Sequence, residues 1–132
     1  MTKLRAWVSA ARLRTLPLSI SGILTASAVA ISEENFNLTI CILAIITTLG
    51  FQILSNFAND YGDGVKGTDN ADRVGPARAM QSGLLNAKEL KIGMIITAAI
   101  TLLIATMLIF SAFGNENFLL SFIFFNLGIA AI

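Results

Sequence analysis

The sequence predicts an all-α integral membrane protein, a helical bundle with about four transmembrane helices and a cytoplasmic N-terminus. Three observations carry that expectation. Of 132 residues, 55% are hydrophobic and 13% charged, with a mean hydropathy of +0.77; in an average soluble domain about a quarter are charged. The apolar residues gather into long runs separated by polar segments. All nine Lys and Arg lie either before the first run or in the long polar segment between the second and third.

The elements follow in chain order. Leu4, Trp7, Val8 and Ala11 recur at helical spacing, with Arg5, Ser9 and Arg12 opposite. That pattern predicts an interfacial helix over about 3–14, lying in the headgroup layer with Trp7 as its anchor. A membrane span needs about 20 apolar residues as helix, with a range of roughly 17–25. The first falls at about 16–32, where Gly22, Ala26 and Ala30 form the small-residue stripe of a packed membrane helix. That stripe argues against the rival reading, a signal peptide cleaved near Ala28-Val29-Ala30. Further spans fall at about 38–57, 92–113 and 118–132. The last is still apolar at Ile132, so the expectation is a piece of a larger membrane protein, residues 1–132 forming the N-terminal part of one domain.

Charge placement orients the bundle. Lys3, Arg5, Arg12 and Arg14 precede the first span, and Lys66, Arg73, Arg78, Lys88 and Lys91 lie in the segment 58–91. The linkers 33–37 and 114–117 have neither Lys nor Arg. By the positive-inside rule the N-terminus and 58–91 face the cytoplasm. A net charge of +1 gives no basic surface for nucleic acid. With no histidine, imidazole catalysis and ligation are excluded. Cys41 stands alone in an apolar run, which excludes an internal disulfide and leaves it a small hydrophobe.

Chemistry concentrates at the mouth of the second span. Asp60, Asp63, Asp69 and Asp72 place four carboxylates within thirteen residues. A carboxylate at the edge of hydrocarbon is costly and marks a functional site by default. Four like charges repel unless cations neutralise them, and oxygen-only ligands suit Mg²⁺ shared with a phosphorylated substrate. If the second span continues as helix past the membrane surface, Asn56, Asn59, Asp60 and Asp63 share one face, with Gln52 one turn deeper. Gly62, Gly64 and Gly67 are then expected to break the helix. Lys66, Arg73 and Arg78, with Gly75-Pro76 turning the chain between the arginines, are candidate contacts for a diphosphate, and Asn56 joins them as a polar contact. The alternative for the aspartates is an ordinary solvated loop. Lys88, Glu89 and Lys91 read as a solvated helix start. An EF-hand is excluded because Tyr61 and Gly62 interrupt its ligand order. The CDP-alcohol phosphatidyltransferase motif is excluded because Val65-Lys66-Gly67-Thr68 follows Asp63-Gly64 and no later aspartate pair is present.

The run Asn59-Asp60-Tyr61-Gly62-Asp63 resembles the first aspartate-rich motif of the UbiA-type intramembrane prenyltransferases. Arg14-Thr15-Leu16-Pro17, Gln52-Ile53-Leu54-Ser55-Asn56, Lys66-Gly67-Thr68-Asp69, Asp72-Arg73-Val74-Gly75-Pro76 and Arg78-Ala79-Met80-Gln81-Ser82-Gly83 are similar to the MenA branch, the 1,4-dihydroxy-2-naphthoate polyprenyltransferases of menaquinone synthesis. The resemblance implies a nine-helix fold around a central cavity, of which this chain holds part, in a bacterial inner membrane. It implies Mg²⁺ as cofactor, with polyprenyl diphosphate and 1,4-dihydroxy-2-naphthoate as substrates. It places Asn59, Asp60 and Asp63 in catalytic and metal-holding roles. The family's further aspartate falls on Gly67 here, leaving Asp69 or Asp72 to complete the metal site. A second motif is expected in later helices absent from this chain, so residues 1–132 alone are expected to be inactive. The alternatives are a relative that prenylates another acceptor, such as 4-hydroxybenzoate, and a non-enzymatic transport or scaffold protein whose acidic ring binds cations.

Overall fold

Asn37 opens the longest helix by accepting the Ile40 N–H on its side chain, and the apolar run behind it carries the helix through the whole second span. The computed structural model describes residues 2–67 and 79–130, with side chains as far as Leu127. Among these residues the regular structure is all helical: α1 (Lys3–Ala11), a 3₁₀ turn (Leu13–Thr15), α2 (Leu16–Ser32), α3 (Leu38–Lys66), α4 (Ala87–Phe113) and α5 (Phe118–Ala130). Three stretches, Lys3–Ser32, Leu38–Lys66 and Ala87–Phe113, are long and apolar enough to cross a membrane, and Phe118–Leu127 is apolar but shorter. The chain is a multi-pass membrane protein built as a helical bundle.

Each helix end has a chemical cause. α2 begins with Pro17 in its first turn, where the missing N–H costs nothing. It ends with Glu34 in the left-handed region (φ 57), the Glu34 N–H reaching Ile31 O at 3.2 Å and the Asn35 N–H reaching Ala30 O at 2.9 Å. That pair of bonds is a Schellman closure without the usual glycine. α4 starts in a capping box: the Glu89 N–H donates to Asn86 Oδ1 at 2.8 Å and the Asn86 N–H to Glu89 Oε2 at 3.0 Å.

α3 packed on α4 is the spine. Thr101, Ala105 and Ile109 turn the buried face of α4 toward α3, where Thr47 is buried. Gly50 lies so close to Thr101 that a Cβ there would overlap its side chain. Small residues let two membrane helices approach where lipid provides no hydrophobic drive. α2 meets α3 through Ser19 Oγ to Gln52 Oε1 at 2.7 Å and Ser27 Oγ to Cys41 Sγ at 3.2 Å. Other hydroxyls of α2, those of Ser21, Thr25 and Ser32, bond back to their own helix, so they present little unsatisfied polarity to hydrocarbon.

Two sequence expectations are corrected. Gly62 and Gly64 do not break α3; it runs through both to Lys66 and stops at Gly67, whose φ of 68 makes the left-handed cap. Phe57 and Tyr61 continue to pack on that stretch, so tertiary burial holds two glycines in a helix they would otherwise weaken. Gly64 is used for space, since a Cβ there would come within 2.6 Å of Met80 Sδ. Nor does Trp7 serve only as a headgroup anchor. Its ring packs edge-on against Phe57 at 5.3 Å and 71° and lies over Gly93, where a Cβ would come within 2.5 Å of it. Ala6, Ala10 and Ala11, all buried, let α1 sit this close.

Candidate functional site

The polar stripe on α3 divides into two parts. Asn56 is 3% exposed, and its amide donates to Ala11 O at 2.9 Å and to Thr15 Oγ1 at 3.4 Å. Its Oδ1 accepts from Gln52 Nε2 at 3.4 Å, and Gln52 in turn accepts from Ser19. This half of the stripe joins helices together, and the donors of Asn56 are committed within the fold.

One turn further, Asp60 is 2% exposed. Its Oδ2 accepts the Ala79 N–H at 3.2 Å, while Oδ1, also buried, has no hydrogen-bond partner among the described residues. A buried carboxylate oxygen without a donor carries its full desolvation cost. Asn59 is exposed and Asp63 half-buried, and each is engaged by a partner. Lys66 ends α3 exposed. Asp69, Asp72, Arg73 and Arg78 lie outside the described residues. Among the described residues no three His, Cys, Asp or Glu side chains converge. The donors present are nonetheless of the kind Mg²⁺ takes, amide and carboxylate oxygens, and Asp60 Oδ1 is the oxygen whose unmet demand a cation would fill.

The backbone around the site is closed by features that periodicity does not carry. Ala79, Leu85 and Leu90 are buried with Phe57 in one cluster, so the chain returning from the acidic segment is folded back onto α3. The Leu85 N–H reaches Ala79 O, and the Gly83 N–H reaches Met80 O at 3.0 Å. Lys3 pairs with Glu89, tying the start of α1 to the start of α4. Glu89 is thus more than a solvated helix start; the Asn86-x-x-Glu89 spacing is a legible signal for the cap, whereas no local pattern reports its bond to Lys3.

α1 meets α3 through a strained turn. Arg12 adopts φ 51 and ψ 56, a left-handed conformation that costs a non-glycine residue roughly 1–2 kcal/mol. Its carbonyl accepts both the Thr15 N–H and the Thr15 hydroxyl at 2.9 Å. Beneath this turn, α1, α3 and α4 enclose an open apolar cleft of about 450 Å³, lined by Trp7, Leu13, Ile46, Ile53, Phe57 and Ile104 among others. It runs along α3 toward the turn that carries Asp60.

The chain is 44% identical, over 98% of its length and 42% of the relative's, to a 1,4-dihydroxy-2-naphthoate octaprenyltransferase of Haemophilus influenzae. It is 43% identical over 76% of its length and 32% of the relative's to a protein of the same name from Escherichia coli K12. With the Mycobacterium tuberculosis protein of that name the figures are 37%, 76% and 32%. The chain therefore spans less than half the length of the curated relatives it matches. No protein-family model matches it, and no solved structure matches it significantly. Sequence similarity extends across nearly the whole chain, which is homologous to part of the proteins named 1,4-dihydroxy-2-naphthoate octaprenyltransferase.

Proposed function

We propose that the whole protein transfers a polyprenyl group from an isoprenyl diphosphate to 1,4-dihydroxy-2-naphthoate, with decarboxylation, in menaquinone biosynthesis at a bacterial inner membrane. The names of its relatives support the reaction class. The single structural observation that carries the site is the buried Asp60 carboxylate at the end of a membrane-length helix, one oxygen held by Ala79 and the other without a donor among the described residues.

In this reading Asn59, Asp60 and Asp63 hold Mg²⁺, and Asp69 or Asp72 completes the set. The bound ion would supply Lewis acidity to the departing diphosphate. Ala79 holds one oxygen of Asp60 and so orients the other toward the ligand. Lys66, with Arg73 and Arg78, draws the diphosphate by charge and takes up its oxygens as the allylic C–O bond breaks and the electron pair leaves with the diphosphate. The naphthoate ring carbon bearing the carboxylate forms the new C–C bond. Carbon dioxide then leaves, its bonding pair restoring the aromatic ring, and the product is the quinol form of demethylmenaquinone. Water would quench the allylic cation; the apolar cleft under α1 supplies a dry wall and room for the start of the prenyl tail.

The test is turnover by the purified full-length protein with both substrates. Activity that stops in EDTA and returns with Mg²⁺ is the expected result. Activity on 4-hydroxybenzoate but not on the naphthoate would move the acceptor; cation flux without prenyl transfer would overturn the reading.

A further inference from the structure

Resting on the functional reading above, we propose that Asn56 is a positioning residue, not a ligand: its amide clamps the Arg12–Thr15 turn against α3 so that Arg14, carried on that turn, meets an anionic group of a substrate at the mouth of the site. Four observations converge on this. Asn56 is 3% exposed and lies one turn, about 6 Å of helix rise, from Asp60. Its donors go to Ala11 O and Thr15 Oγ1, which bracket the turn, and its acceptor is held by Gln52, itself held by Ser19. The turn contains a non-glycine residue, Arg12, in the left-handed region, and strain of that kind persists only where surrounding bonds over-determine it. Those bonds are present: Thr15 closes on Arg12 O through both backbone and hydroxyl, and the Arg12 N–H caps α1 at Ser9 O. Arg12 is half-buried and Arg14 exposed, so the clamp fixes one guanidinium-bearing residue within the fold and leaves the other at its surface. Freed from Asn56, the turn would relax and Arg14 would wander. The group it meets is a diphosphate or a carboxylate, both oxyanions that guanidinium forks bind.

The experiment uses the full-length protein and two readouts. Trypsin cleavage after Arg12 and Arg14, followed by mass spectrometry, is expected to speed up about tenfold in Asn56→Ala relative to wild type. In steady-state assays the same variant is expected to raise KM about fivefold or more for one substrate. KM for the prenyl diphosphate and for the naphthoate, measured separately, identify which anion is involved. kcat and the Mg²⁺ concentration for half-maximal rate should stay within about twofold. The Asn56→Ala/Arg14→Ala double variant should be no worse than Arg14→Ala alone, because both act through one group. Asn56→Asp, which keeps the side-chain volume and removes both amide donors, stands in for the proteolysis measurement if Asn56→Ala does not fold. Unchanged cleavage overturns the clamp, a shifted Mg²⁺ midpoint makes Asn56 a ligand instead, and two unchanged KM values remove its link to substrate. If the wild type shows no prenyl transfer the functional reading fails, and with it the link to substrate, but the proteolysis still decides whether Asn56 clamps the turn.

Discussion

The two ends of α3 are held by different physics. Toward its start, α3 meets α2 and α4 through small residues and isolated polar pairs, Gly50 with Thr101 and Ser27 with Cys41, and broad apolar surfaces such as Ile95, Leu103 and Phe110 on α4 stay exposed. Toward Lys66, α3 is enclosed by α1 and the chain returning at Ala79, with Leu85 and Leu90 almost wholly buried. The first end is packed as lipid-facing helices are, by close backbone approach. The second is packed as a water-soluble core is, by burying apolar side chains behind polar ties. The acidic and amide residues sit in the second. Asn56 and Asp60 are thereby buried where protein atoms, and not lipid, surround them.

Substitutions can break or sharpen that contrast. The largest effect is expected at Asp60. Asp60→Ala in the full-length protein should lower prenyl-transfer rate by at least about 10²-fold, the scale of losing a group that stabilises transition-state charge. It should leave the melting temperature in detergent unchanged or raised, because a buried carboxylate with one oxygen lacking a partner among the described residues carries a desolvation cost that its bond from Ala79 does not fully offset. A large fall in melting temperature would make Asp60 a strut for Ala79 and not part of the site. Next comes the membrane end. Gly50→Leu should destabilise by about 1–3 kcal/mol or more through overpacking against Thr101. Gly22→Leu, where a Cβ meets nothing within 4 Å, should cost far less, and equal losses would deny that close approach matters there.

Two smaller effects probe the motif end. Asn86→Ala removes the cap of α4 and should cost about 0.5–2 kcal/mol in denaturation. Lys3→Ala should cost no more than about 1 kcal/mol, and the loss should fade as salt is added, since Lys3 is 64% exposed. A loss from Lys3→Ala larger than that from Asn86→Ala would mean that the end of α1 carries far more of the fold than an exposed ion pair can.

The helices and the polar stripe along α3 were legible because each depends on local repetition. Leu38 to Phe57 is a run that must be helical if it is to cross hydrocarbon, and the 56, 59, 60, 63 spacing puts polar groups near one side of any helix. What spacing left open was which of them face ligand. Asn56 and Asp60 look alike as buried polar residues on one stripe, yet one has its donors committed to the end of α1 and the turn after it, and the other has an oxygen with no partner among the described residues. That difference depends on Ala11, Thr15 and Ala79, which are far away in sequence. The continuity of α3 through Gly62 and Gly64 was misread for the same reason: intrinsic propensity is a local quantity, and Phe57, Tyr61 and Met80 overrode it by packing.

By itself, then, the order of residues determined that this chain is a bundle of membrane helices with acidic and amide groups gathered at one mouth, since hydropathy and charge act residue by residue. Only the tertiary structure decided that Asp60 is sealed under Ala79, that Trp7 turns inward over Gly93, and that Asn56 grips the Arg12 turn. Those outcomes belong to pairs of distant groups, and the free energy of a pair exists only once the fold has brought its members together.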